Sequence, residues 1–182
     1  MEYIRKDRII TIPNVLTVVR IGLLPAVVWR FLKGDKFGAL GFYLFAMLTD
    51  AVDGILARRL NQVTALGKLL DPLADKLSLI TLLSLFVADG SIQLWVLFVE
   101  LIREVAMVSG AAAALRRGIV VYALPIGKVT TVCFVLSIVL RFLSFELPAD
   151  VLLYTFVALS MVAFVWYSVV LVRQLGAQEQ KS

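Results

Sequence analysis

The sequence predicts an all-α membrane protein, with six transmembrane helices, a short amphipathic segment ahead of the first, and both termini in the cytoplasm. Three observations lead there. Of 182 residues, 61% are hydrophobic and 17% charged, with a mean hydropathy of +0.95, whereas a soluble domain is about half apolar and about a quarter charged. Six stretches, 13–33, 37–57, 69–89, 91–115, 125–145 and 148–173, are apolar over a length close to the roughly 20 residues that cross a hydrocarbon core. The cations are also lopsided. With the amino terminus inside, Arg5, Lys6, Arg8, Arg20, Arg58, Arg59, Lys68, Lys76, Arg103, Arg116, Arg117, Lys128, Arg173 and Lys181 fall on the inner side, and only Arg30, Lys33, Lys36 and Arg141 on the outer. That is the positive-inside distribution.

The elements follow in order. Residues 1–11 mix basic side chains with Tyr3, Ile4, Ile9 and Ile10, the composition of a juxtamembrane helix lying on the inner surface. Pro13 opens the first span, where its missing N–H costs nothing. This span is not expected to be a cleaved signal, because it is too long, carries Arg20 and lacks a small-x-small site. Gly34-Asp35 and Asp89-Gly90-Ser91 provide tight outer turns, Gly118 and Pro125 bracket an inner turn, and Leu147-Pro148 marks the last outer turn. From Gly176 the tail turns polar and is expected to be disordered. Residues 1–182 read as one membrane domain, with 1–11 as juxtamembrane segment and 176–182 as polar tail, and contain no internal repeat.

Composition also excludes chemistry. The chain has no histidine, which removes imidazole bases, nucleophiles and metal ligands together. Cys133 is the one cysteine, so no internal disulfide forms. The net charge of +5 lies beside membrane headgroups, which makes membrane lipids the expected partner and not nucleic acid.

Chemistry concentrates between residues 50 and 75: Asp50-Ala-Val-Asp53-Gly54-Ile-Leu-Ala57-Arg58, eight residues, then Gly67-Lys-Leu-Leu-Asp71-Pro-Leu-Ala-Asp75. Asp50 and Asp53 share a face at the inner end of the second helix, and Asp71 and Asp75 share one at the start of the third. Two helices joined by a short turn thus aim four carboxylates into one space, with Gly54, Ala57 and Gly67 leaving room for a ligand. One aspartate at a helix end is ordinarily a cap or a solvated terminus, and a pair could serve Arg58 or Lys76 as a salt-bridge partner. Four at one depth need cations, because like charges at a few Å repel and the membrane edge raises the cost. Oxygen ligands without His or Cys select Mg²⁺, Mn²⁺ or Ca²⁺ over zinc. Two such ions would clamp a diphosphate, with Arg58 beside it.

The pattern Asp-x-x-Asp-Gly-x-x-Ala-Arg, eight residues, Gly-x-x-x-Asp-x-x-x-Asp resembles the signature of the CDP-alcohol phosphotransferases at all eight of its fixed positions, and six membrane helices in this length are similar too. The resemblance implies that Asp50, Asp53, Asp71 and Asp75 hold two divalent ions, Mg²⁺ or Mn²⁺. It places Gly54, Ala57, Arg58 and Gly67, with Asn14 and Thr17, against the CDP moiety of CDP-diacylglycerol. It makes Asp75 the base that deprotonates the acceptor hydroxyl, which attacks the lipid-bearing phosphorus and releases CMP. It further implies a homodimer in the inner membrane, multi-pass, with its site facing the cytoplasm.

Several other charges share the inner depth: Arg20 about 10 Å into the first span, Arg103 and Glu104 in the fourth, Lys128 near the start of the fifth. Intramembrane charges are functional candidates. Glu100, Arg103 and Glu104 also share a face, so Arg103 has a second reading as their partner. If Arg20, Arg103 and Lys128 converge, they form a cationic pocket that takes the phosphate of glycerol 3-phosphate and repels choline or ethanolamine. Ile12-Pro13-Asn14-x-x-Thr17-x-x-Arg20, Arg103-Glu104 and Gly127-Lys128 resemble the bacterial phosphatidylglycerophosphate synthases of that family. One departure stands out, since Thr130 occupies a position usually held by a second lysine. It keeps open a cardiolipin synthase of the same superfamily, which uses phosphatidylglycerol as acceptor. Phospholipase-D-like cardiolipin synthases need histidine and are excluded. A transporter with carboxylate ion sites is the rival from another class, although such proteins show repeats and broken helices at mid-bilayer.

Overall fold

The computed structural model describes residues 11–59, 67–116 and 126–179, the side chains of residues 13, 51–59, 68, 69, 115, 116 and 175–179 excepted. The described residues form six helices: α1 (Ile12–Leu32), α2 (Lys36–Arg59), α3 (Gly67–Ala88), α4 (Leu94–Arg116), α5 (Ile126–Phe142) and α6 (Glu146–Glu179). Each coincides with one of the six apolar stretches. Residues 1–10 of the expected juxtamembrane segment 1–11, and the turn expected at Gly118 and Pro125, lie outside the described residues. The chain divides into two compact units, Met1–Asp89 with α1–α3 and Gly90–Ser182 with α4–α6.

In the first unit, α1 packs against both α2 and α3. Thr11 is its N-cap, with extended backbone, and its hydroxyl accepts from the Asn14 N–H at 3.4 Å. At the other end Gly34 adopts φ +81°, the left-handed conformation that a glycine enters without a Cβ penalty. Its N–H reaches the Phe31 carbonyl at 2.8 Å and the Asp35 N–H reaches Arg30 at 3.1 Å, a Schellman closure. Asp35 then turns to α2, accepting from the Gly38 N–H at 2.7 Å. Ala39, Ala46 and Ala74 are buried at the helix contacts, beside Leu24, Val27, Leu40, Leu82 and Leu83. Small residues allow the close approach that dispersion between membrane helices requires. Phe31 and Phe86 meet edge to face with centroids 5.2 Å apart.

In the second unit, α6 packs against α4 and α5. Phe134 and Phe156 lie 5.0 Å apart, and the Ser137 hydroxyl donates to the Ala149 carbonyl at 2.8 Å. The turn between α5 and α6 falls at Leu143–Phe145 and not at Leu147-Pro148, because α6 has already begun at Glu146. Pro148 sits in the opening turn of α6, where helix N–H groups lack partners in any case. Ser144 closes α5 in the left-handed region, at φ 63°. α6 runs for 34 residues, about 51 Å at the usual rise, and passes through Gly176 to Glu179, so the expected disordered tail begins as helix.

Two helices, α1 at Asn14–Leu32 and α6 at Glu146–Gln174, are long and apolar enough to cross a membrane. Of the others, α2, α3 and α4 contain the charges of the candidate sites, and α5 has 17 residues. Large apolar side chains stay exposed around the helices, among them Trp29, Phe45, Leu48, Phe98, Ile102, Val165 and Trp166. In water such surfaces would aggregate; against lipid they are at home.

Candidate active site

Asn14, Thr17 and Arg20 recur every three residues along α1, and all are buried. That polar stripe continues as Leu24, Val27 and Phe31, so one face of α1 is polar at its N-terminal end and apolar beyond. The helix period places these residues together, and the packing of α2 and α3 decides what they meet.

What they meet is the aspartates. Thr17 Oγ1 donates to Asp71 Oδ1 at 2.8 Å. Arg20 Nη1 donates to Asp50 Oδ1, and to Asp75 Oδ1 at 2.8 Å, while Nη2 stands 3.9 Å from Asp71 Oδ1. Three carboxylates from α2 and α3 therefore face one guanidinium from α1. The side chain of Arg20 is 5% exposed, whereas those of Asp50, Asp71 and Asp75 are 49%, 51% and 66% exposed. The cation forms a buried floor and the carboxylates an open rim with excess negative charge. Three acids against one cation leave the described site with more carboxylates than cations to balance them.

Asp53, Gly54, Ala57 and Arg58 lie on α2, and their side chains lie outside the described residues. Gly67 is the first residue of α3, one turn ahead of Asp71. Pro72 sits between Asp71 and Asp75 inside α3, where it removes one helical N–H. Among the described residues, no group of three or more acidic side chains is already gathered as a set that could hold a metal ion. The donor chemistry nonetheless fits a hard divalent cation: the carboxylates already converge on a cation, the Arg20 guanidinium, as they would on a metal.

The three cations assigned to an acceptor phosphate fall in both units. Arg20 belongs to the first, and its guanidinium faces aspartates. Arg103 lies on α4 in the second, where Nε donates to Glu100 at 2.8 Å and Nη2 to Glu104 at 2.6 Å. Glu100 is fully buried and also accepts from Ser160 Oγ at 2.6 Å. This is the partner reading of Arg103, and the chain of contacts joins α4 to α6. Lys128 is exposed near the start of α5. Thr130 is buried there, its hydroxyl donating to the Ile126 carbonyl at 2.8 Å. Sequence reasoning missed the Thr17–Asp71 and Ser160–Glu100 bonds. For the meeting of Arg20 with Asp50 and Asp75 a signal was available, since an arginine inside an apolar span needs carboxylate partners at its own depth.

Residues 10–174 match the CDP-alcohol phosphatidyltransferase family. The chain is 33% identical to the CDP-diacylglycerol–glycerol-3-phosphate 3-phosphatidyltransferase of Bacillus subtilis over 175 residues, which cover 87% of this chain and 90% of that protein. It is 37% identical to a cardiolipin synthase (CMP-forming) of Streptomyces coelicolor over 120 residues, 63% of this chain and 55% of the relative. Relatives from Mycobacterium tuberculosis are 33% identical over 136 residues, 72% of this chain, and the chain spans 64% of their length.

Proposed function

Because the chain belongs to the CDP-alcohol phosphatidyltransferase family, we propose that it transfers the phosphatidyl group of CDP-diacylglycerol to glycerol 3-phosphate, forming phosphatidylglycerophosphate and releasing CMP. Membership sets aside the transporter. The observation that supports the reading is the convergence of Asp50, Asp71 and Asp75, half-exposed, on the buried Arg20. The Bacillus relative, matched over 90% of its length, carries this activity in its name.

In this reading Asp50, Asp53, Asp71 and Asp75 would hold two divalent ions, Mg²⁺ or Mn²⁺. Bound there, the ions would offset charge on the diphosphate and stabilise the leaving CMP oxygen. The chain's own residues do the rest. Thr17 fixes the rotamer of Asp71 through its hydroxyl, and Gly54, Ala57, Arg58, Gly67 and Asn14 receive the CDP moiety. A carboxylate oxygen of Asp75 takes the proton from the acceptor hydroxyl. The freed oxygen attacks the lipid-bearing phosphorus, the bond to the CMP oxygen breaks, and its electron pair leaves with CMP. Lys128 is the cation assigned to the acceptor phosphate. The protein would work as a multi-pass homodimer of the inner membrane, open to the cytoplasm.

A second reading, cardiolipin synthesis with phosphatidylglycerol as acceptor, is favoured by one observation. Thr130 turns its hydroxyl to its own helix and supplies no charge where a second lysine would strengthen an anion pocket. CMP release from CDP-diacylglycerol, measured with glycerol 3-phosphate, phosphatidylglycerol, inositol phosphate and serine in parallel, decides between them. Turnover with phosphatidylglycerol and none with glycerol 3-phosphate would move the protein to the second reading.

A further inference from the structure

We infer that Arg20 is a resident cation of the carboxylate cluster, which must give up Asp50 and Asp75 before divalent ions are held there, so that metal binding is coupled to the arrival of a phosphate anion. The inference rests on the metal-assisted reading above. Oδ1 of Asp50 and of Asp75 is bonded to Arg20, and Oδ1 of Asp71 to Thr17. One oxygen of each of these three carboxylates is thus committed to a protein donor. Among the described residues the three carboxylates converge on the guanidinium and form no group of three that could hold a metal ion as they stand. A second positive charge entering this space meets the first at short range, with little water around Arg20 to screen the repulsion.

The other half of the coupling lies in what Arg20 lacks. It is 4% exposed, and its Nε and Nη2 have no hydrogen-bond partner among the described residues. When the aspartates turn to metal, Nη1 loses both acceptors as well. A buried guanidinium without acceptors is costly, and water has little access to it. A phosphate oxygen, from the CDP diphosphate or from a phosphorylated acceptor, supplies the acceptors the carboxylates withdraw. Metal and phosphate therefore each relieve the cost the other imposes, and binding of either strengthens the other. Arg20 is in this sense a positioning residue that keeps the site low in metal affinity until substrate is present.

The test is Mn²⁺ binding to the full-length protein in detergent, followed by the free-ion electron paramagnetic resonance signal. Wild type, Arg20→Met and Arg20→Lys are compared alone, with CDP, and with glycerol 3-phosphate, each against a protein-free blank for Mn²⁺ held by the ligand itself. Arg20→Met is expected to bind Mn²⁺ about tenfold tighter than wild type without ligand, and Arg20→Lys to stay near wild type. Wild type should gain about tenfold on adding whichever phosphate ligand Arg20 turns to, and Arg20→Met should lose that gain. The arm that shows the gain identifies the source of the phosphate. Arg20→Met binding Mn²⁺ no tighter than wild type overturns the inference and leaves Arg20 a brace for the aspartates, with the metal reading intact. No Mn²⁺ binding by wild type under any condition overturns both. If Arg20→Met does not insert, wild type decides alone, since an affinity unchanged by CDP and by glycerol 3-phosphate removes the coupling.

Discussion

Thr17 and Asp71 are 54 residues apart in the chain, and a hydrogen bond of 2.8 Å joins them, from the buried face of α1 to the opening turn of α3. The threonine hydroxyl fixes which way one half-exposed carboxylate points. Thr17→Val keeps the shape and removes the donor. A hydrogen bond to a charged group is worth about 1.5–3 kcal/mol, and water at the open rim replaces part of it, so kcat/KM is expected to fall about tenfold. Thr17→Ser should restore most of the loss. Equal activity of the valine variant in a CMP-release assay would mean that Asp71 needs no such guide.

The carboxylates themselves should be indispensable. Asp50→Asn, Asp53→Asn and Asp71→Asn are each expected to reduce CMP release to background while the protein still inserts in the membrane, because an amide cannot replace a charged oxygen ligand. A chelator should abolish wild-type turnover, and Mg²⁺ or Mn²⁺ should restore it. Full activity in excess chelator would contradict the metal-assisted reading.

Lys128→Met tests the acceptor. It retains most of the side chain's bulk and removes the charge. A charged hydrogen bond of about 1.5–3 kcal/mol corresponds to a roughly ten- to hundredfold loss in kcat/KM for glycerol 3-phosphate. The constant for CDP-diacylglycerol should change far less. Equal damage to both substrates would reassign Lys128 to the fold or to the diphosphate.

Arg141, in the second unit, offers a stability control. Its guanidinium is buried, donating to the Ser91 carbonyl and to Asp150. Asp150→Ala leaves that charge without its carboxylate. The Asp150 side chain is 43% exposed, so solvent screens the pair and the cost is about 1–2 kcal/mol rather than the full value for a buried pair. The melting temperature in detergent should fall by about 2–8 °C. The kcat per folded molecule should not change; a fall in kcat at unchanged melting temperature would be the contrary result.

The helices were legible in the chain because apolar length and turn residues are local properties. Gly34 and Gly90 mark turns at positive φ, as their sequence context suggests. The turn between α5 and α6 was misplaced because Pro148 reads equally as a turn and as a helix opening, and Ser144, a residue with no strong left-handed preference, closes α5 instead. The one-face spacing of Asp71 and Asp75 was likewise readable, since helical periodicity alone fixes it.

By itself, then, the sequence determined the six helices, the absence of imidazole chemistry, and an acidic motif specific enough to indicate the family. Tertiary structure alone decided the partners. Arg20 was read as an acceptor-facing cation, and the packing of α1 adds that it lies beneath Asp50 and Asp75; Arg103 meets Glu100 and Glu104, and Glu100 in turn meets Ser160 on α6. Spacing along a helix tells which side chains share a face, but not which face of another helix will cover it. That choice is made by packing between segments tens of residues apart, where a buried charge takes the nearest carboxylate that close contact brings to its depth.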